Sequence, residues 1–339
     1  MKQKILRLLF FATAFAMLFV IAAACGSDEP EAAPAQDGAG LTALQEAALD
    51  GDYFIITFMS GIDFWQGVLE GFERAAAEVG ANVVFTGTPE PDFLAQIEVF
   101  NQVVAMNPRG IAVTPLDPDA FVEPINAAIA AGIPVVTFDN DSIGSNRAAY
   151  LGTSNYAAGW AGAQFMAEQL GGQGIVGVVG FTGAHNQEER AQGFEDFMAT
   201  QPGITVIPRV HGGDDETASS AAAAAMITAN PGISGIFGTN SWMGLGVGNA
   251  IVESGNEGNI IGVAFDTDEG VLDYIESGVL SGSVAQGTQQ MGYWAFKFLW
   301  AMNTDGVVDG WRETGLAPVP GSVDTGVSIV TTENIHLFR

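Results

Sequence analysis

Two stretches of this chain close an apolar run on the same acidic signature, and they are the first candidates for chemistry. Residues 133–141 read Ile-Pro-Val-Val-Thr-Phe-Asp-Asn-Asp, and residues 260–268 read Ile-Ile-Gly-Val-Ala-Phe-Asp-Thr-Asp. Each is a strand-like run ending in Phe-Asp-x-Asp. Ligands of open α/β sheets bind beyond the carboxyl ends of the strands, so Asp139 and Asp266 stand where a ligand would be met. Ionised, they accept hydrogen bonds from hydroxyl groups. Asp141 and Asp268 read instead as caps of the turn or helix that follows.

Other polar groups fall at comparable places. Asn240 follows the run 233–239, and Gln286 closes the run 280–285. Each amide both donates and accepts, which suits hydroxyls. Arg190 lies near the start of an expected helix, where the positive end of the dipole disfavours a cation. A ligand, or an aspartate across a cleft, would offset that; a surface pairing with Glu188 or Glu189 is the other reading. Phe64 and Trp65 open a helix after the turn-like Ser60-Gly61-Ile62-Asp63. Flat aromatic faces suit the C–H face of a sugar ring, and packing of the pair into its own lobe is the alternative.

Catalytic and cofactor patterns fail. Gly172-Gln173-Gly174-Ile175-Val176-Gly177 has the spelling of a dinucleotide fingerprint but precedes a strand instead of following one. The glycines at 244, 246 and 248 have the wrong final spacing and read as close helix packing. His185, His211 and His336 lack the pairing of a zinc site. There is no Walker loop and no Gly-x-Ser-x-Gly elbow. A binding protein without cofactor or metal, and not an enzyme, is expected.

The elements that must position these residues follow from hydrophobic patterning. Strand-like runs at 53–59, 82–85, 110–114 and 134–138 alternate with helical segments at 64–79, 93–106 and 120–131. The series then restarts, with helices at 156–170, 187–198, 218–228 and 245–252 and strands at 175–179, 204–210, 233–237 and 260–265. The strands lack strict polar alternation, as when helices cover both faces of a parallel sheet. Two α/β lobes, each a doubly wound parallel sheet, are expected; a barrel of eight β-α units is the topological rival.

The ends fix the compartment. Lys2, Lys4 and Arg7 precede an apolar run over 8–24 that ends at Ala23-Ala24-Cys25-Gly26-Ser27. This reads as a leader, residues 1–24, with Cys25 in a bacterial lipoprotein box as the lipidated residue; a retained anchor is the alternative. Cys25 is the single cysteine, so no internal disulfide exists. Residues 25–51, rich in Ala, Pro, Asp, Glu and Gly, read as a flexible tether with a transient helix near 41–49. The chain carries 39 acids against eleven cations, and the leader holds three of those cations and no acid, so the mature chain stands at −31. Such a field repels nucleic acid and anionic membrane surfaces.

The stretches Asp63-Phe64-Trp65, the run ending at Asp139, Leu151-Gly152-Thr153-Ser154-Asn155-Tyr156-Ala157-Ala158-Gly159, Glu189-Arg190-Ala191-Gln192-Gly193-Phe194, Asn240, Phe265-Asp266 and Ala285-Gln286 are identified by their order and spacing. Together they make the chain resemble the ribose-type periplasmic binding proteins, solute receptors of carbohydrate ABC transporters that share a fold with the ligand core of LacI-type repressors. The resemblance implies two doubly wound lobes joined by three crossings near Thr153, Gln286 and Thr325. The lobes would be 52–153 plus 287–324, and 154–286 plus 325–339. It implies that Phe64 and Trp65 stack on the ligand while Asp139, Arg190, Asn240, Asp266 and Gln286 bind its hydroxyls. Asn140, also counted among the substrate-binding residues, stands where the ribose receptors have Arg, and Ile62 where they have Asn. Asp214, at the place of a further aromatic, and Trp242 complete the candidate set. The implied protein is a lipid-anchored, extracytoplasmic monomer that closes on a neutral sugar or polyol and docks on a membrane permease. A sensory receptor would use the same cleft. A repressor would need a helix-turn-helix where the leader stands, and a sugar-acting enzyme would need a nucleophile–base pair.

Overall fold

The computed structural model describes residues 42–213, 215–304 and 315–339. The expectations for the leader, for Cys25 and for Asp214 fall outside the described residues. The first lobe contains α1 (Ala43–Leu49), β1 (Asp52–Thr57), α2 (Phe64–Ala77), β2 (Asn82–Gly87), α3 (Phe93–Ala105), β3 (Gly110–Val113), α4 (Val122–Ala130), β4 (Val135–Phe138) and β5 (Tyr150–Gly152). The second contains α5 (Asn155–Gln169), β6 (Gln173–Gly180), α6 (His185–Ala199), β7 (Gly203–Val206), β8 (Val210–His211), α7 (Glu216–Ala229), β9 (Ile233–Gly238), α8 (Ser241–Glu253), β10 (Ile261–Phe265), α9 (Glu269–Glu276) and β11 (Gly282–Gln286). Then α10 (Thr288–Asn303) and β12 (Ser322–Asp324) return to the first lobe, and β13 (Val327–Val330) to the second.

Two sheets result, ordered β12-β5-β4-β3-β1-β2 and β13-β11-β10-β9-β6-β7, with β8 beside β6. The first is parallel throughout, and the second is parallel except for β13. A closed barrel is therefore excluded. Alternate residues of β1 feed opposite cores: Tyr53 and Ile55 pack with α2 and α10, Phe54 and Ile56 with α3 and α4. Burial on both faces is why these strands read as unbroken apolar runs.

The expected strand over 204–210 is broken. Pro208 has no N–H to donate to the ladder, and the chain forms β7 and β8 on either side of it. The end of the expected tether is also ordered. Residues 43–49 form α1, whose Ala48 is buried and accepts a hydrogen bond from the Tyr53 hydroxyl at 3.2 Å. The alanines and leucines there cover the edge of α10, which composition alone does not reveal.

Each lobe contains a backbone-to-backbone helix crossing made by glycine. A methyl group on Gly71 of α2 would fall 2.0 Å from the Gln289 carbonyl oxygen, and one on Gly292 of α10 would fall 1.8 Å from that of Val68. In the second lobe the same test on Gly193 of α6 gives 2.0 Å to Tyr156, and on Gly159 of α5 gives 1.9 Å to Arg190. Gly-Phe-Glu recurs at 71–73 and 193–195, with the glycine at the close approach in each crossing, so the two helices share one sequence register. That register sets Phe64 and Trp65 against Asn186 and Gln187, and Val68 against Arg190. Equivalent helices thus carry aromatics in one lobe and polar groups in the other.

The chain changes sheet after Gly152, after Gln286 and after Asp324. The three crossings are bonded to one another: Thr325 N–H donates to the Gly152 carbonyl at 2.9 Å, Gly287 N–H to that of Gly326 at 3.2 Å, and the Thr153 hydroxyl to Gln286 Oε1 at 2.7 Å.

Candidate ligand-binding site

Asp139 and Asp266 directly follow β4 and β10, the third strands of the two sheets. Both adopt the left-handed conformation, with φ of 58° and 69°. Both still keep the sheet ladder one residue beyond their strand, donating N–H to Leu151 and Val284 at 3.2 and 2.9 Å. Aspartate tolerates this region better than most residues, and the reversal turns the chain away while leaving the carboxylate at the sheet end. The same device occurs once in each lobe.

A cavity of about 520 Å3 lies between the lobes. The first lobe lines it with Phe58, Met59, Ile62, Phe64, Trp65 and Asp139, and the second with Asn186, Gln187, Arg190, Asn240, Trp242, Asp266 and Gln286, among others. A larger groove of about 940 Å3 runs along the hinge and shares Phe64, Asp266 and Gln286, but it lacks Trp65, Asp139 and Arg190. The chemistry is concentrated in the smaller cavity.

Arg190 is buried and built in from three sides. Its Nε donates to Asn155 Oδ1 at 2.8 Å, its Nη1 donates to the Thr239 carbonyl at 3.0 Å, and its guanidinium lies 3.7 Å from the Phe265 ring centroid. It is the sixth residue of α6, past the first turn, so the dipole conflict expected from sequence is relieved. Glu188 pairs with Arg209 at 2.6 Å and Glu189 with His185 at 3.5 Å, so the surface pairing of Arg190 does not form. Among the described residues Nη2 has no partner, and Arg190 makes no ion pair with either aspartate. Asp139 of the first lobe therefore faces Arg190 and Asp266 of the second across the cavity, and no ion pair joins the cation to either carboxylate.

Their electrostatics follow from that arrangement. Burial pushes the Asp139 carboxyl up to about 7, with Arg190 opposing the rise, Asp266 adding to it, and the Thr114 hydroxyl opposing it. Burial pushes Asp266 up to about 6, opposed first by Arg190 and then by the Gln286 amide. Burial likewise draws Arg190 below its usual value, against the pull of Asp266 and Asp139. Removing all three from water is unfavourable, and an incoming donor or acceptor relieves it.

A model of the periplasmic binding protein domain matches residues 53–306. The chain belongs to that family. The D-allose-binding periplasmic protein of Escherichia coli (strain K12) is 27% identical over 270 residues, 77% of this chain and 87% of that protein. The crystal structure of a sugar-binding protein of a sugar ABC transporter from Bacillus halodurans matches with a TM-score of 0.81 and 39% identity, over 85% of this chain and 100% of that one. AraP, an arabinose-binding protein from Geobacillus stearothermophilus, matches with a TM-score of 0.82 and 35% identity, over 86% and 99%. No helix among the described residues of this periplasmic binding protein is long and apolar enough to cross a membrane.

The candidate residues do not all stand alike. Trp65 is 2% exposed, donates its indole N–H to the Phe58 carbonyl at 2.9 Å, and packs edge-on against Phe58, Phe64 and Phe138. It is chiefly a wall; the half-buried Phe64 and the exposed Trp242 offer more ring surface. Asn240 caps α8, its Oδ1 accepting from Met243 N–H at 2.9 Å, which leaves its Nδ2 for the cavity. Gln286 is engaged at both ends: Oε1 accepts from Thr153, and Nε2 donates to Asp266 Oδ1 at 2.8 Å. It orients Asp266 and ties it to the hinge. Asn140 does not line the cavity, and its Oδ1 accepts from Asn186 Nδ2 at 3.4 Å. Asp141 is held by Arg147 and by the Thr137 hydroxyl at 2.7 Å, so it is structural. Asp268 accepts from the Ser241 hydroxyl instead of capping α9.

Asn186, Gln187, Met59 and Ile62 line the cavity without having been singled out as contacts from sequence. The signal for Asn186 and Gln187 is the repeated Gly-Phe-Glu register, which makes them the equivalents in the second lobe of Phe64 and Trp65. Met59 carried none, since its φ of 46° depends on the local turn.

Proposed function

We propose that this protein is the extracytoplasmic solute receptor of a carbohydrate ABC transporter, closing on one neutral monosaccharide or polyol and delivering it unchanged to a membrane permease. The observation that carries the reading is the pair of strand-end carboxylates, Asp139 and Asp266, turned from opposite lobes into one cavity that the Arg190 guanidinium also lines. Hydroxyl groups donate to the carboxylates and accept from Arg190 Nη2 and Asn240 Nδ2, while Phe64 and Trp242 cover the apolar faces. Charge-assisted hydrogen bonds in a site shut off from water exceed neutral ones, and an unmatched buried group costs about 1–3 kcal/mol, which selects for hydroxyl pattern. Because the ligand touches both lobes only when they are shut, it stabilises the closed form. The similarity to an arabinose-binding protein and to an allose-binding protein supports a sugar as the solute. Cys25 carries the lipid that holds the chain to the membrane, and the protein works as a monomer.

The test is a melting-temperature screen with L-arabinose, D-ribose, D-allose, other pentoses and hexoses, polyols and inositols, followed by calorimetry. A ligand at a hundred times its Kd stabilises by about 2.7 kcal/mol, which is readily visible. Failure of every neutral hydroxylated compound to shift the transition refutes the reading. For the anchor, Cys25→Ser should move the protein from the membrane fraction to the soluble one; unchanged partition refutes lipidation.

A further inference from the structure

We infer that Asn140 and Asn186 form a latch between the lobes beside the cavity, setting affinity by stabilising the closed arrangement and not by touching the solute through Asn140. The inference rests on the receptor reading above. Among the described residues theirs is the one side-chain hydrogen bond that joins the two lobes away from the hinge. Asn186 is the second residue of α6, and its Oδ1 already accepts the Gln187 N–H at 2.8 Å. That bond fixes which way the amide faces and leaves Nδ2 to donate to Asn140. On the opposite side Asn140 follows the left-handed Asp139, and its own N–H donates to the Thr114 hydroxyl at 3.4 Å.

The placement couples the latch to the ligand groups. Asn186 and Arg190 are four residues apart, so both lie on one face of α6. Asn140 and Asp139 are consecutive. Closure that sets Arg190 opposite Asp139 therefore brings Asn186 to Asn140 in the same movement. At 3.4 Å the bond is long, and both residues are half-buried, so each amide readily returns to water when the lobes part. A weak bond of this kind biases an open–closed equilibrium without locking it, and the apparent affinity scales with the closed fraction.

The test uses the full-length chain with L-arabinose as probe, in Asn140→Ala, Asn186→Ala and the double variant. Removing one bond of this strength weakens apparent affinity about two- to tenfold, and because both substitutions break the same bond the double variant is no weaker than the weaker single. Losses that add refute the latch, since they mean that each residue contacts the solute separately. A second measurement needs no sugar. Spin labels at Glu98→Cys and Glu253→Cys, exposed positions in opposite lobes, with Cys25→Ser, report the ligand-free lobe separation. Asn140→Ala should lengthen the mean distance and thin the short-distance population; an unchanged distribution overturns the latch whether or not arabinose binds. A wild-type protein whose distances shorten with no sugar tested refutes the receptor reading, and that outcome is separate.

Discussion

Asp266→Asn should move affinity and stability in opposite directions. Asparagine has the same shape and tolerates the left-handed φ of 69°, and its carbonyl can still accept from Gln286, so the backbone and the neighbour are kept. What is lost is the charge. Raising a carboxyl from 3.8 to about 6 means that its ionised form costs about 3 kcal/mol in the folded protein. The sign follows from linkage: a folded value above the unfolded one gives stability that is complete below about pH 4 and lost as pH rises through about 6. At pH 7.5 the wild type has lost that increment and the variant has not. At about 2–4 °C per kcal/mol, the ligand-free variant melts several degrees higher. A charge-assisted hydrogen bond to a hydroxyl contributes about 1.5–3 kcal/mol, so the variant binds about 10- to 150-fold more weakly. Calorimetric melting and titration on the same preparation give both numbers. A variant that melts lower and binds as well as the wild type makes the carboxylate a structural group and refutes the reasoning.

The same raised values for Asp139 and Asp266 predict that affinity falls on acidification from pH 8 to pH 5, by up to about tenfold per pH unit for each carboxylate that must be ionised, while the ligand-free melting temperature rises; titrations in a buffer series check both signs. Phe64→Ala should weaken binding about tenfold with little effect on melting, whereas Trp65→Ala, emptying a fully packed site, should cost about 3–5 kcal/mol of stability; equal behaviour of the two would contradict the division between stacking face and wall. Gly159→Ala would put a methyl 1.9 Å from the Arg190 carbonyl oxygen, so α5 and α6 must separate by displacing Arg190; a drop of about 1–3 kcal/mol in stability together with weaker binding is expected, and loss of stability alone would mean that Arg190 does not contact the solute.

Where the sequence was informative, the physics was local. The runs ending at Asp139 and Asp266 are legible because a strand buried on both faces has to be apolar and because the chain must reverse directly afterwards. The positions of Asn240 and Gln286 after their strands are legible for the same reason. Their bonding is not: the Asn240 oxygen is taken by the Met243 amide of its own helix, and both ends of Gln286 are taken by Thr153 and Asp266, partners that come from other segments. Trp65 illustrates the commonest limit. Its place at a helix start suits a stacking face and a core wall alike, and only the surrounding Phe58, Phe64 and Phe138 decide between them. The ordering of 43–49 on the first lobe escaped for the converse reason, since a short alanine-rich segment has no strong preference until α10 offers it a surface. Asn140, aligned by sequence with an arginine of the ribose receptors, meets Asn186 instead, a partner from the other lobe that no local pattern reveals.

The paired glycine crossings have a mechanical consequence. Where main chain rests on main chain, as at Gly71 with Gly292 and Gly159 with Gly193, there is no deformable side-chain layer to shear, and each half of the molecule is stiff. Compliance is then confined to three short strips of peptide, at 153–154, 287 and 325–326, braced against one another. Opening and closing are then expected to be a rotation about that single seam, so that a surface sensitive to the angle between the two halves would sense occupancy of the cavity.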